Sequence, residues 1–200
     1  MARARRAELI DAAPIAAVDA TGLEARHVSL YYRLYYRVRR GEPKRQHHRR
    51  RAWPKLTTVV HTHSHLILGV VTGMGPAQDS PDFTPAMRQA AALLQFETAL
   101  ADAGYDGEHN HRLCREELGV RHTVIKLNPR NRGRRWPKER YRREMRRAFP
   151  RLLYHQRWHA ESVFSRHKRR LGSALTARRT PSQQRQIVLR VLTHNLMILK

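Results

Sequence analysis

Acidic side chains are scarce in this chain of 200 residues: 16 Asp and Glu stand against 40 Lys and Arg, a formal net charge of +24. Self-repulsion on that scale excludes an ordinary near-neutral protein and calls for a polyanionic partner, of which nucleic acid is the usual one. A membrane surface fits less well, because the positive charge is not gathered on one amphipathic helix. Cys114 is the single cysteine, which excludes a disulfide framework and a cysteine metal cluster and fits a reducing cytoplasm. No apolar run reaches the roughly 18 residues of a membrane span. The first residues lack the apolar segment of a signal peptide, and no internal repeat is visible. Against these absences stands a hydrophobic content of 40%, enough for a globular core and too much for wholesale disorder. The length allows one domain with a real core, with or without appendages.

Residues 1–13 are short, rich in Ala and Arg, and read as a lead-in that is poorly ordered. Ile15, Ala16, Ala17 and Val18 form a compact apolar run ending in Asp19, which reads as a buried strand with an acid at its C-terminal end. The bland reading of that aspartate is a strand-terminating Asx-turn. Residues 26–55 are Arg-rich, with Tyr31, Tyr32, Tyr35 and Tyr36 interleaved and Glu42 as the one acid. A loop or irregular hairpin lying on phosphates is favoured there over a solvated connection. Leu56–His63 alternates and is rich in β-branched residues, and Leu66–Thr72 is apolar; Ser64 and His65 between them predict a tight hairpin. His61, His63 and His65 resemble a row of metal ligands, but edge or turn histidines near a basic surface are the favoured reading.

Gly73–Pro85 is expected to be a loop carrying Asp79 and Asp82 as spare acids, followed by a helix over about 84–95. Thr98–Ala101 predicts a second apolar strand that runs into Asp102, with Gly104 permitting a sharp exit before Asp106. A short helix over 107–118, a strand over 122–127 and a basic stretch over 128–147 come next. That basic stretch reads as a loop or marginal helix, mobile without DNA. The last helix is expected to bury Ile187, Val191, Leu192, Leu196 and Leu199. Strands alternating with helices in this order predict an α/β domain with a mixed sheet and parallel crossovers.

The segment from Tyr154 to Lys168 places one acid, Glu161, among Tyr154, Arg157 and Lys168. On a continuous α-helix these four positions fall within an arc of roughly 60°. A neighbouring stripe of Leu153, Ala160, Phe164 and Leu171 would pack on a core. The span of about 21 Å is comparable to the width of a duplex. Phosphodiester chemistry with Mg²⁺ needs a few carboxylates from different elements converging on hard cations. Asp19 and Asp102, each at a strand's C-terminal end, sit where open α/β sheets place their sites, and Glu161 would join them from a helix.

Tyr154-x2-Arg157-x3-Glu161-x6-Lys168 resembles the Y-R-E-K signature of IS4-type (IS4/IS5-like) DDE transposases at every position and spacing. Asp19-Ala-Thr-Gly resembles that family's first acid motif, and Ala101-Asp102-Ala-Gly-Tyr-Asp106 its second. The stretch from Gly73 to Phe83 looks like the linker between them, so the resemblance covers residues 14–200. It implies an RNase H-like fold, a five-stranded mixed sheet flanked by helices, with Asp19, Asp102 and Glu161 as metal-binding catalytic triad. Asp106 is the rival for the second place. The resemblance further implies two Mg²⁺ ions (Mn²⁺ as a substitute), cleavage of double-stranded DNA at transposon ends and attack of the freed 3′ hydroxyl on target DNA. Tyr154, Arg157 and Lys168 would contact DNA, the basic segments 26–55 and 128–147 would add contacts, and two copies would meet on DNA at the nucleoid. Only eighteen residues precede Asp19, so an N-terminally truncated copy is expected, and a catalytically inactive remnant that only binds DNA is the alternative. The large β-insertion of some relatives is absent between Asp102 and Glu161.

Overall fold

The computed structural model describes residues 1–25, 53–128 and 137–200. Most of the tyrosine-rich basic segment 26–55 and the stretch 129–136 therefore lie outside the described residues. Strand β1 (Ile15–Gly22) is central because Ala16, Ala17 and Val18 are fully buried and can face helices on both sides. On one flank it pairs antiparallel with β3 (Trp53–His61), which pairs antiparallel with the edge strand β4 (Ile67–Gly75). On the other flank it pairs parallel with β5 (Thr98–Ala101), and β5 pairs parallel with β6 (His122–Ile125). The order β4-β3-β1-β5-β6 makes a five-stranded mixed sheet, the RNase H-like arrangement. A short parallel pair, β2 (Glu24–Ala25) with β7 (Ala174–Leu175), lies apart from it.

The two-residue alternation of β1 sorts the core. Ala16 and Val18 face a layer built on α2 (Ser80–Leu93), through Phe83, Ala86, Met87 and Ala90. Ala17 faces the opposite layer, where α6 (Trp158–Leu171) and α7 (Thr180–Ile198) supply Ala160, Val163, Phe164, Ile187 and Val191. By the same alternation Asp19 and Thr21 belong to the face covered by α6. The site inherits this placement from the strand.

Several expectations shift. The lead-in contains a helix, α1 (Ala2–Arg6), whose Ala4 is 1% exposed and joins the α2-side core with Leu9 and Ile10 against it. Helix α2 begins at Ser80, not Thr84, because Pro81 suits a first turn, and β4 runs on to Gly75. The segment 107–118 forms α3 (Glu108–Arg112) continued by a π-helical turn over Leu113–Glu117. Part of the basic stretch is ordered as α4 (Arg140–Arg147). The helix expected over 154–168 is broken: α5 (Arg151–His155) ends in a turn at Gln156 and Arg157 before α6 starts. On α7 the buried stripe is Gln183, Ile187, Val191 and His194, while Leu192 and Leu196 are 53% and 57% exposed. The i, i+4, i+8, i+11 row governs there, and Leu192 and Leu196, one and two positions past its members, rotate outward.

The histidines near the β3–β4 turn do not form a ligand row. His61 is fully buried and bonds Ser64 Oγ at 2.8 Å and Asp11 Oδ1 at 2.9 Å, tying the turn to the chain ahead of β1. His65, with φ of 62°, sets its Nε2 2.8 Å from Nδ1 of His159, and its carbonyl accepts from His194 at 3.0 Å. His167 is buried between α6 and α7, its ring nitrogens without hydrogen-bond partners among the described residues. Burial, with Arg166 and the neighbouring imidazoles, lowers His65 to about 4, and burial with His194 lowers His167 to about 4.

These rings are neutral in the fold and bind protons more readily once unfolded. Their contribution to stability is whole above pH 6.5 and is lost as pH falls toward about 4, by up to ~1.4 kcal/mol per pH unit for each ring. Chemical denaturation between pH 8 and 4.5 is expected to show a plateau and then a steep fall. In His167→Phe the fall should be shallower; an identical slope would overturn this account.

Candidate active site where β5 ends beside β1

Parallel register brings the first two acids together. Ile15 pairs with Thr98 and Val18 with Ala101, so Asp19 and Asp102 are the next residues on adjacent chains. Backbones of paired strands lie roughly 4.8 Å apart, and side chains at matched parallel positions project to the same face. Strand β5 stops at Ala101 whereas β1 continues to Gly22 along β3. Asp19 is thus within β1 rather than at its end, but at the level where its parallel neighbour gives way. Its Oδ1 accepts from the Ala20 N–H at 2.9 Å. Asp102 caps the 3₁₀ turn Ala103–Tyr105, accepting from the Gly104 N–H at 2.8 Å. A Cβ at position 104 would lie 3.0 Å from Asp102 Oδ1, so glycine leaves that carboxylate its room.

The third acid arrives through an arginine. Burial of Ala160, Val163 and Phe164 seats α6 on the sheet. Arg157 at its start gives Nη1 to Asp19 Oδ2 at 2.9 Å, and Nη2 to Glu161 Oε1 one turn on. The guanidinium lies over the Tyr154 ring, 6.0 Å from its centroid, and that ring packs on Phe149 at 5.0 Å. Lys168 donates to Thr21 Oγ1 at 2.7 Å, two residues beyond Asp19 on the same face of β1. All four residues of the Tyr154–Lys168 pattern therefore meet one side of the sheet, in spite of the break in the helix. Burial raises the Asp19 pKa above the usual carboxylate range, with Asp102 and Glu161 raising it further against the opposing pull of Arg157 and the Ala20 N–H.

Asp106 is engaged elsewhere. Its side chain is 1% exposed, binds Arg142 at 2.8 and 3.1 Å and accepts from the Asn128 N–H at 2.8 Å. Glu108, also buried, accepts the Tyr141 and Arg142 N–H groups at 3.0 Å, satisfying donors in the first turn of α4. Together they dock a strongly basic helix beside the acids. Asp79 and Asp82 are not spare: both pair with Lys55 Nζ, at 3.1 and 2.7 Å, and Thr57 donates to Asp82 at 2.9 Å. Burial opposes the charge of Lys55, but hydrogen bonds to Asp82 and Asp79 more than offset it and raise its pKa. Nothing local in the sequence marks the Lys55–Asp79, Glu108–α4 or Arg142–Asp106 contacts, since each joins residues more than twenty positions apart.

Asp19, Asp102 and Glu161 are hard oxygen donors from the middle of β1, the residue after β5 and a helix, the donor set that suits Mg²⁺ or Mn²⁺. As placed, no three acidic, histidine or cysteine side chains among the described residues close into a metal cage. The cation between two of the three carboxylates is the Arg157 guanidinium, a monovalent stand-in at a place where negative charge is crowded. The residues present fit a divalent cation on that ground.

The family model described as "Transposase DDE domain" matches residues 11–196. No curated protein matches the chain.

The two candidate second acids should separate by stability. Asp106→Ala removes both charged bonds to Arg142, leaves it Glu139 alone as acidic partner and takes away the carboxylate that accepts from the Asn128 N–H, and is expected to cost about 3 kcal/mol. Asp102→Ala removes one turn-capping bond and should cost about 1 kcal/mol. Urea denaturation of both variants checks this; equal losses would contradict the division of roles.

Proposed function

Because the chain belongs to the transposase DDE domain family, we propose that it cleaves double-stranded DNA at the ends of a mobile element and joins the freed 3′ hydroxyl to target DNA. The observation that carries this is the side-by-side placement of Asp19 and Asp102 with Glu161 tied to Asp19 through Arg157. Asp19, Asp102 and Glu161 are the ligands we assign to a pair of Mg²⁺ ions. Bound there, the ions supply neutralisation of charge on the reacting phosphate and a more acidic attacking water or hydroxyl.

The chain's own groups do the positioning. Arg157 offers a planar fork that fits phosphate oxygens bidentately. The Tyr154 hydroxyl serves the phosphate beside it, and Lys168 holds the backbone farther along. On α4, Arg140, Arg143 and Arg147, with Lys138, line a cleft of about 540 Å³ that suits a phosphodiester backbone. The Asp106 and Glu108 contacts fix that cleft relative to Asp102. Segments 26–55 and 129–136 are assigned to the same duplex on their composition. The motif spacings favour the IS4 type within the family. Synapsis of two ends calls for two copies of the chain, acting where the genome is, in the cytoplasm; no described helix is long and apolar enough to cross a membrane.

A plasmid carrying the DNA that flanks the gene should be nicked with Mg²⁺ or Mn²⁺ and should yield strand-transfer products. Asp19→Asn, Asp102→Asn and Glu161→Gln are each expected to lower both by roughly 10³-fold, the loss of several kcal/mol of transition-state stabilisation. Metal-independent binding with no cleavage by the unaltered protein would favour a DNA-binding remnant. Hydrolysis without strand transfer would favour a simple nuclease.

A further inference from the structure

The geometry points to Arg157 as an internal counter-ion that exchanges partners, so that binding of the divalent cation and binding of DNA reinforce one another. This rests on the assignment of Asp19, Asp102 and Glu161 as metal ligands. In this structure the guanidinium spans two of those ligands, with Nη1 on Asp19 Oδ2 at 2.9 Å and Nη2 on Glu161 Oε1. A divalent cation taking the same carboxylates must displace at least one of these bonds and would repel the guanidinium left beside it. The displaced fork has a natural destination, because a phosphate diester offers two oxygens in the geometry a carboxylate offers. Each event therefore removes an obstacle to the other. Phosphate draws Arg157 away and frees the acids, and the metal ion releases Arg157 for phosphate.

The local structure permits such an exchange. Arg157 lies in the turn between α5 and α6 rather than inside a helix, and Glu161 is 59% exposed at its side chain. Asp19, by contrast, is held by the Ala20 N–H and the strand, so the moving parts are the arginine and the glutamate. Lys168 shares the same sheet face but bonds the Thr21 hydroxyl, not an acid. It contributes the same unit of charge without occupying a ligand, which makes it the proper control.

The test uses the full chain and Ca²⁺ alone as probe, by titration calorimetry, at constant ionic strength. Arg157→Gln is expected to bind Ca²⁺ about ten-fold more tightly than the unaltered protein, and Lys168→Gln no more than about two-fold. Arg157→Lys, which keeps the charge but cannot span both acids, should fall between, and it covers the case in which the glutamine variant does not fold. By linkage, Ca²⁺ should tighten binding of a duplex oligonucleotide about ten-fold in the unaltered protein, read by fluorescence anisotropy, and about two-fold or less in Arg157→Gln. Equal Ca²⁺ affinity in the Arg157 variants and the unaltered protein, or an equal gain in Lys168→Gln, would overturn the exchange. Asp19→Asn separates the two levels: if it binds Ca²⁺ as the unaltered protein does, the ligand assignment itself fails. If it loses Ca²⁺ while the Arg157 variants bind unchanged, only the exchange fails.

Discussion

Negative charge gathered where it is least welcome is the constraint around which this molecule is arranged. In a chain with so few acids, two sit side by side on adjacent parallel strands and a third is brought to them by a helix. Water does not relieve the repulsion at Asp19, whose side chain is only 15% exposed. Relief comes from a cation, the Arg157 guanidinium. The buried faces of β1 and α6 hold the acids close. The surrounding positive charge keeps that closeness tolerable and suits a polyanionic partner.

A second tier of ion pairs fixes the frame. Lys55 joins the start of α2 to β3 through Asp79 and Asp82, and Asp106 with Glu108 joins α4 to the segment that follows β5. Both tiers use an acid to hold a basic element, yet they differ in exposure. Asp106 is sealed by its arginine, whereas Glu161 stands open to solvent. The sealed pair keeps a helix in place, and the open one can change partners. Proximity in sequence would have made Asp102 and Asp106 interchangeable; their partners make them different.

What was legible in the sequence was what depends on near neighbours. The strand 98–101 and its terminal acid could be read from a β-branched threonine, three apolar residues and a glycine, and the Tyr154–Lys168 spacing grouped the residues that meet the sheet. The residues grouped on the helical wheel still meet one face of the sheet although the helix itself is interrupted at Gln156 and Arg157. Both residues of that turn keep right-handed helical dihedrals, so the angular order survives. Long-range choices were not legible. The outward turn of Leu192 and Leu196 depends on which row of α7 meets β4, and the burial of Ala4 depends on a groove formed by residues far along the chain. Asp79 and Asp82 read as spare because their partner, Lys55, looked like one more cation in a basic run.

The pairing of β1 with β5 also sets when the site can come into being during folding. Its two strands are separated by about 80 residues, and closing a loop of that length costs roughly 4 kcal/mol in chain entropy before any contact repays it. The β3–β4 hairpin, closed by a short turn, has no such barrier and can form early. The acids therefore meet late, after the antiparallel half has given β1 a surface to lie on. The net charge of +24 belongs to the chain from the start, whereas Asp19 and Asp102 stand together only once this long-range pairing has closed.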